Sequence, residues 1–172
     1  MSKIITVYFS MKGQTIGPGM TIVNQDKGNT QVAAEYIQKA VGGELFELKA
    51  DRAYSKDHMV LIEEAKQELN AKTRVPVKEY PQELEQYDTV FLAYPNWWNT
   101  FPMAVATFLE HYDWAGKTII PVCTNEGSGL GNSVRDIRML CKNANVADGA
   151  SFIGSQVRSS EKQIAQWAKE VL

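Results

Sequence analysis

"DTVFLAYPNWWNT", residues 88–100, runs from an apolar stretch into a turn that carries two adjacent tryptophans. Val90 to Tyr94 are all apolar or aromatic, which predicts a strand buried inside the molecule. Pro95 to Thr100 then form a loop at the carboxyl end of that strand.

Apolar runs alternate with amphipathic ones on either side of it. "KIITVYF" (residues 3–9) reads as a strand. After a polar, Gly-rich interval, "TQVAAEYIQKAV" places Val32, Ala33, Tyr36, Ile37, Ala40 and Val41 at helical spacing. Gly42 and Gly43 close that helix, and "ELFELK" is a short second strand. "YSKDHMVLIEEAKQELNAK" has Ser55 or Asp57 as N-cap and predicts a helix with Met59, Ile62, Ala65 and Leu69 on its inner face. Residues 73–87, with Pro76 and Pro81, read as an irregular connection with one helical turn. "KTIIPVCT" (117–124) and "ASFIGSQV" (150–157) complete five strands, with helices at about 103–111, 133–143 and from 160 to the end. Strict alternation of this kind predicts an α/β fold, a doubly wound parallel sheet whose ligands bind beyond the carboxyl ends of its strands.

Composition narrows the function. A chain of 172 residues with 44% hydrophobic content suits one domain, and no repeat or linker divides it. Lys and Arg number 18 against 20 Asp and Glu, a net charge of -2 that offers no polyanion-binding surface. Nucleic acid is not an expected partner. With no signal-like start and no apolar stretch long enough to span a bilayer, a cytoplasmic protein with no membrane partner is expected. Cys123 and Cys141 lack redox or zinc spacing and read as small buried residues.

Three strand-end loops carry the candidate chemistry. In the first, Ser10 ends a strand and "KGNT" (27–30) opens a helix, where free amides and the helix dipole favour an anion; Gly28 permits close approach, and Asn29 and Thr30 offer short donors. "SMKGQT" (10–15) has a similar pattern, so Thr15 competes with Thr30 for an anion, and the helix start favours Thr30. In the second loop, Trp97 or Trp98 offers a surface for stacking a flat ring. In the third, "NEGSGLGN", Gly127, Gly129 and Gly131 leave backbone groups free to face a ligand edge. No P-loop or dinucleotide fingerprint comes after the first strand.

In "VYFS…GNT", "YPNWWNTFP" and the Ser/Gly-rich loop after the fourth long strand, nearly the whole chain resembles the flavodoxin family. The resemblance implies a flavodoxin-like three-layer α/β/α sandwich with a five-stranded parallel sheet in the order 2-1-3-4-5, and bound FMN. It assigns the phosphate to Ser10, Gly28, Asn29 and Thr30. Pro95, Asn96, Trp97, Trp98, Asn99 and Thr100 would flank the isoalloxazine, and Thr124, Asn125, Glu126, Gly127, Ser128, Gly129 and Gly131 would line its pyrimidine side. Two features depart from the family pattern. Residues 11–27 are inserted into the phosphate loop, and Asn99 stands where Gly is common after the Trp pair. Asn is a residue that accepts left-handed backbone angles.

The implied function is a low-potential one-electron carrier, with Glu126 as a charge near the flavin and transient redox proteins as partners. An NAD(P)H-dependent flavin or quinone reductase on the same fold is the alternative, and a non-redox interaction module a third. His58 and His111 read as solvated or capping residues, and Glu63, Glu64 and residues 66–68 as a solvated helix face.

Overall fold

The computed structural model describes residues 2–172. Its main sheet is parallel, built from β1 (Ile4–Tyr8), β4 (Glu44–Glu47), β5 (Thr89–Pro95), β6 (Thr118–Asn125), β7 (Asn145–Val146) and β8 (Ala150–Ile153). The spatial order is β4-β1-β5-β6, with β7 and β8 both beside β6. Taking β7 and β8 as one interrupted strand, this is the expected 2-1-3-4-5 arrangement of a flavodoxin-like sandwich. β1, β5 and β6 are the buried centre, since Val7, Val90, Phe91, Ala93, Ile119 and Val122 have essentially no exposed surface. That burial on both faces is why they read as unbroken apolar runs.

Five helices cover the two faces: α1 (Asn29–Val41), α2 (His58–Asn70), α3 (Met103–His111), α4 (Ser133–Leu140) and α5 (Glu161–Glu170). α1 and α5 bury Val32, Ala33, Ile37, Ile164 and Ala168 with Phe91, Ala93 and Val122. On the other face α3 and α4 supply Val105, Phe108, Leu109 and Ile137 to a core with Val7, Val90 and Leu92. Asp57 is the N-cap of α2, its Oδ1 accepting from Val60 N at 3.1 Å.

Two expectations need correction. The last strand stops at Ile153, and residues Gly154–Ser159 form a 3-10 helix in place of its predicted end. The same edge is also split: Ile119 pairs with Val146 and Val122 with Ala150, so one extra residue is accommodated opposite Ile120 and Pro121. Ile119 O accepts from Ala147 N, and strand alternation puts the donorless Pro121 nitrogen on that same edge, where a ladder bond cannot form. Gly149, at φ 72, makes the bulge possible. The second correction concerns α2, whose buried residues are Leu61, Ala65 and Glu68, while Met59 is 66% exposed.

The inserted residues are not a loose loop. β2 (Gly13–Ile16) and β3 (Ile22–Gln25) pair antiparallel as a separate hairpin, joined by a 3-10 turn at Pro18–Met20. "GPG" supplies that turn, with Gly19 at φ 67.

Candidate functional site

A cavity of about 370 Å3 opens at the carboxyl ends of β1, β5 and β6. Eleven of the singled-out residues line it: Ser10, Asn29, Thr30, Pro95, Asn96, Trp97, Trp98, Thr124, Asn125, Glu126 and Ser128. Gly28, Asn99, Thr100, Gly127, Gly129 and Gly131 do not border it.

At one end the chain turns from β3 into α1. Gly28 precedes the helix with φ -69, an angle open to any residue. Its requirement is steric, because a Cβ there would overlap Ser10 Oγ and Met11 O. Ser10 Oγ accepts from Gln31 N at 3.1 Å, which leaves its own hydroxyl proton available. The amides of Asn29 and Thr30 donate to no acceptor among the described residues. Thr30 Oγ1 lies 2.7 Å from Thr124 Oγ1 in a buried contact that ties α1 to the end of β6. One of the two hydroxyls donates to the other, so the pair retains a single free proton. Sequence reasoning missed Arg158, whose guanidinium donates to Asn29 Oδ1 (2.7 Å) and Lys27 O (2.6 Å). Its charge adds to the positive end of the helix dipole.

The tryptophan loop is a tight turn. Trp97 N donates to Thr100 O at 2.8 Å, and Trp98 (φ 54) and Asn99 (φ 75) are both left-handed, the pattern of a type I′ turn. Asn99 suits that position; a bulky Trp at φ 54 stores about 1–3 kcal/mol of strain. The two rings are set differently. Trp97 is half-buried and packs T-shaped with Phe9 and with Tyr54, each at 5.3 Å between centroids. Trp98 is 46% exposed, with Nε1 donating to Ile62 O at 2.6 Å and Lys66 Nζ above its ring at 5.2 Å.

Asn96 joins the loops. Its amide donates to Thr124 O (2.9 Å), its Oδ1 accepts from Asn99 N (2.9 Å), and its Nδ2 donates to Gly129 O (2.9 Å). Asn125 Oδ1 accepts from both Gly127 N (2.8 Å) and Gly129 N (3.0 Å). These glycine backbone groups therefore hold the loop's own shape, and Gly131 lets the loop pass so close to Asn99 that a Cβ would overlap its carbonyl. Thr100 Oγ1 donates to Asp136 Oδ2 at 2.7 Å, away from the cavity. Glu126 is fixed by Ser155, whose N and Oγ each donate to its carboxylate at 2.7 Å. This packing also explains Gly154, since a Cβ would meet Glu126 Oε1 at 2.9 Å and Asn29 Nδ2 at 2.7 Å.

The hairpin and α2 form the far wall. Gln14, Thr15 and Ile16 of the hairpin and His58, Leu61, Ile62 and Ala65 of α2 all line the cavity. Thr15 and Thr30 thus share one space. Behind α2, the expected solvated face is in part a buried network. Arg52 bridges Glu64 and Glu68, both at 2.5 Å, and Tyr54 OH donates to Glu68 Oε2 at 2.7 Å. Burial, and next the bond to Glu68, push the Tyr54 hydroxyl well above the usual tyrosine range. The network holds the ring on which Trp97 rests. Only the inner-face spacing of Glu64 and Glu68 (i, i+4) hinted at a shared partner, and Arg52 lies too far along the chain for a local pattern to reveal it.

The two histidines part company in the structure. His58 lies on the cavity wall, whereas His111 stacks on Tyr80 with ring centroids 3.8 Å apart. Both cysteines are free and buried. Among the described residues no helix is long and apolar enough to cross a membrane.

The flavodoxin family model matches residues 3–171. Among solved structures, a protein of Bacteroides eggerthii named as a flavoprotein is 30% identical, with 99% of this chain and 98% of that one covered at a TM-score of 0.78. One of Bacteroides uniformis, also named as a flavoprotein, is 26% identical, covered at 98% of both chains with a TM-score of 0.75. A Lactobacillus acidophilus flavoprotein in complex with FMN has the same fold at 16% identity and a TM-score of 0.64, over 92% of this chain and 98% of that one. No match is found among curated proteins.

Proposed function

The chain belongs to the flavodoxin family, and on that premise we propose that it binds FMN and works as a one-electron carrier between a reductase and acceptor proteins. The observation that carries this is one continuous cavity joining an anion-binding helix start to an aromatic wall and a polar loop. The donor set fits the group: unpaired amides of Asn29 and Thr30, the Ser10 hydroxyl and the Thr30–Thr124 pair for a phosphate, with Arg158 adding charge beside them. Trp97 and Trp98 would flank the ring, and Asn125, Glu126 and Ser128 would line its polar edge.

When bound, FMN supplies the capacity to take up and return electrons singly or in pairs. Trp97, braced by Phe9 and Tyr54, keeps its face in position and excludes water. Glu126, pinned by Ser155, presents a fixed negative charge that disfavours added negative charge nearby and so lowers the potential. Asn96 and Asn125 keep the loops from relaxing as charge changes.

Reconstitution with FMN, gel filtration and anaerobic potentiometric titration test the proposal. A retained flavin with Nernst slopes near about 59 mV per decade supports the one-electron carrier, and a slope near about 30 mV supports a two-electron enzyme. A protein that retains no flavin is an interaction module.

One observation favours the second reading, an NAD(P)H-dependent flavin or quinone reductase. The cavity continues past the tryptophans to the hairpin and α2, which is room for a substrate. Rapid bleaching by NADPH alone would select it.

A further inference from the structure

Leu69 near the end of α2 packs on the core, but the first turns of the helix bury their inner face without joining it. Leu61 and Ala65 are 8% and 5% exposed, yet neither belongs to the two apolar clusters that flank the sheet. Both border the cavity, as do Ile62 and Ile16. Two tethers hold this wall in place. Gln14 Oε1 of the hairpin accepts from His58 N at 3.1 Å, and Trp98 Nε1 donates to Ile62 O at 2.6 Å.

Three polar side chains, Gln14, Thr15 and His58, interrupt the apolar wall. His58 lines the cavity, and its Nδ1 is buried with no hydrogen-bond partner among the described residues. A buried nitrogen left without a partner is costly, and the cavity is where a partner can come from. The carboxylate of the lining, Glu126, is at the α1 end, held by Ser155 and close to Asn29 across Gly154. The α2 end therefore combines apolar walls, a flanking indole, the neutral polar side chains Gln14 and Thr15 and one imidazole, with no carboxylate.

We propose that this end of the cavity, continuous with the anion end, is a binding compartment for an uncharged aromatic molecule bearing a ring oxygen, a quinone in chemical class, with His58 as the hydrogen-bonding residue that selects it. The compartment rests on the reductase reading for its purpose, but its test does not depend on flavin. A charged ligand would lose its hydration here without a counter-ion. A hydrocarbon would leave Nδ1 unpaired.

Equilibrium dialysis with duroquinone, whose fully methylated ring does not add to thiols, measures the binding with the protein free and with oxidised FMN bound. His58→Phe, which keeps a flat ring and removes both nitrogens, is expected to weaken duroquinone about tenfold, the loss of one hydrogen bond. His58→Gln restores a side-chain donor and acceptor and is expected to recover most of it. FMN affinity should change less than about twofold in either variant, which also reports that the protein is folded. Equal duroquinone affinity in wild type and His58→Phe overturns the proposal, as does no binding to the wild type. So does a loss of FMN affinity as large as that of duroquinone, which would place His58 on the flavin instead. His58-dependent duroquinone binding by a protein that takes up no FMN would leave the compartment standing and defeat the carrier.

Discussion

The indole nitrogen of Trp98 and the carbonyl of Ile62 are joined by a 2.6 Å hydrogen bond between a left-handed turn residue and the second turn of α2. The bond offsets part of the strain at φ 54 and couples the tryptophan loop to the helix that walls the cavity. Trp98→Phe removes the donor and keeps a ring, so it should cost about 1 kcal/mol in urea unfolding and weaken FMN. Trp97→Phe should also weaken FMN. Unchanged FMN affinity in both variants would remove the tryptophan pair from the flavin site.

Gly28→Ala and Gly127→Ala separate crowding from backbone strain. At Gly28 the angle is ordinary and a Cβ overlaps Ser10 and Met11; at Gly127 there is open space but φ is 129. Gly127→Ala should cost about 1 kcal/mol with FMN affinity retained. Gly28→Ala should cost about 1–3 kcal/mol and displace Ser10 from the anion end, with FMN binding falling more than stability. Fluorescence titration alongside urea curves distinguishes the two.

Thr30 and Thr124 share a buried hydroxyl contact, so single and double substitutions should not add. Thr30→Val leaves the Thr124 hydroxyl unpaired at a cost of about 1–3 kcal/mol, whereas replacing both by Val should recover much of that loss. In FMN binding, Thr30→Val should cost more than Thr15→Val. The reverse order would move the phosphate to the hairpin side.

Burial pushes the thiols of Cys123 and Cys141 up to about 12 from 9.0. In the unfolded chain these groups ionise earlier, so the stability they contribute is full below about pH 9 and is lost as pH rises toward 12. Urea midpoints should therefore be flat from neutral pH to about 9 and then fall. Neither thiol should react with Ellman's reagent at pH 8 until the protein unfolds.

Much of this molecule is written in local pattern. The unbroken apolar runs at β1, β5 and β6 come from burial on two faces, and helix starts at Asp57 and Asn29 from capping and turn chemistry. Chain order and the three strand-end loops rest on these signals, because short-range periodicity and special residues report them directly. α2 departs from its own pattern. Its predicted inner face assumes a helix pressed on the sheet, but the helix turns Leu61, Ala65 and Glu68 inward, toward a cavity and a buried ion network.

By itself the sequence determined the alternating α/β order, the sheet's buried centre and the position of each loop at a strand's carboxyl end, since these depend on neighbours a few residues apart. Only the tertiary structure decided that residues 11–27 fold as a hairpin over the cavity, that Arg158 joins the anion end, that Arg52 pairs Glu68, and that His58 lies on the wall. The hydrogen-bond partners of Arg52 and Arg158 named here lie 16 to 131 residues away, and no local periodicity encodes a contact that packing alone brings together.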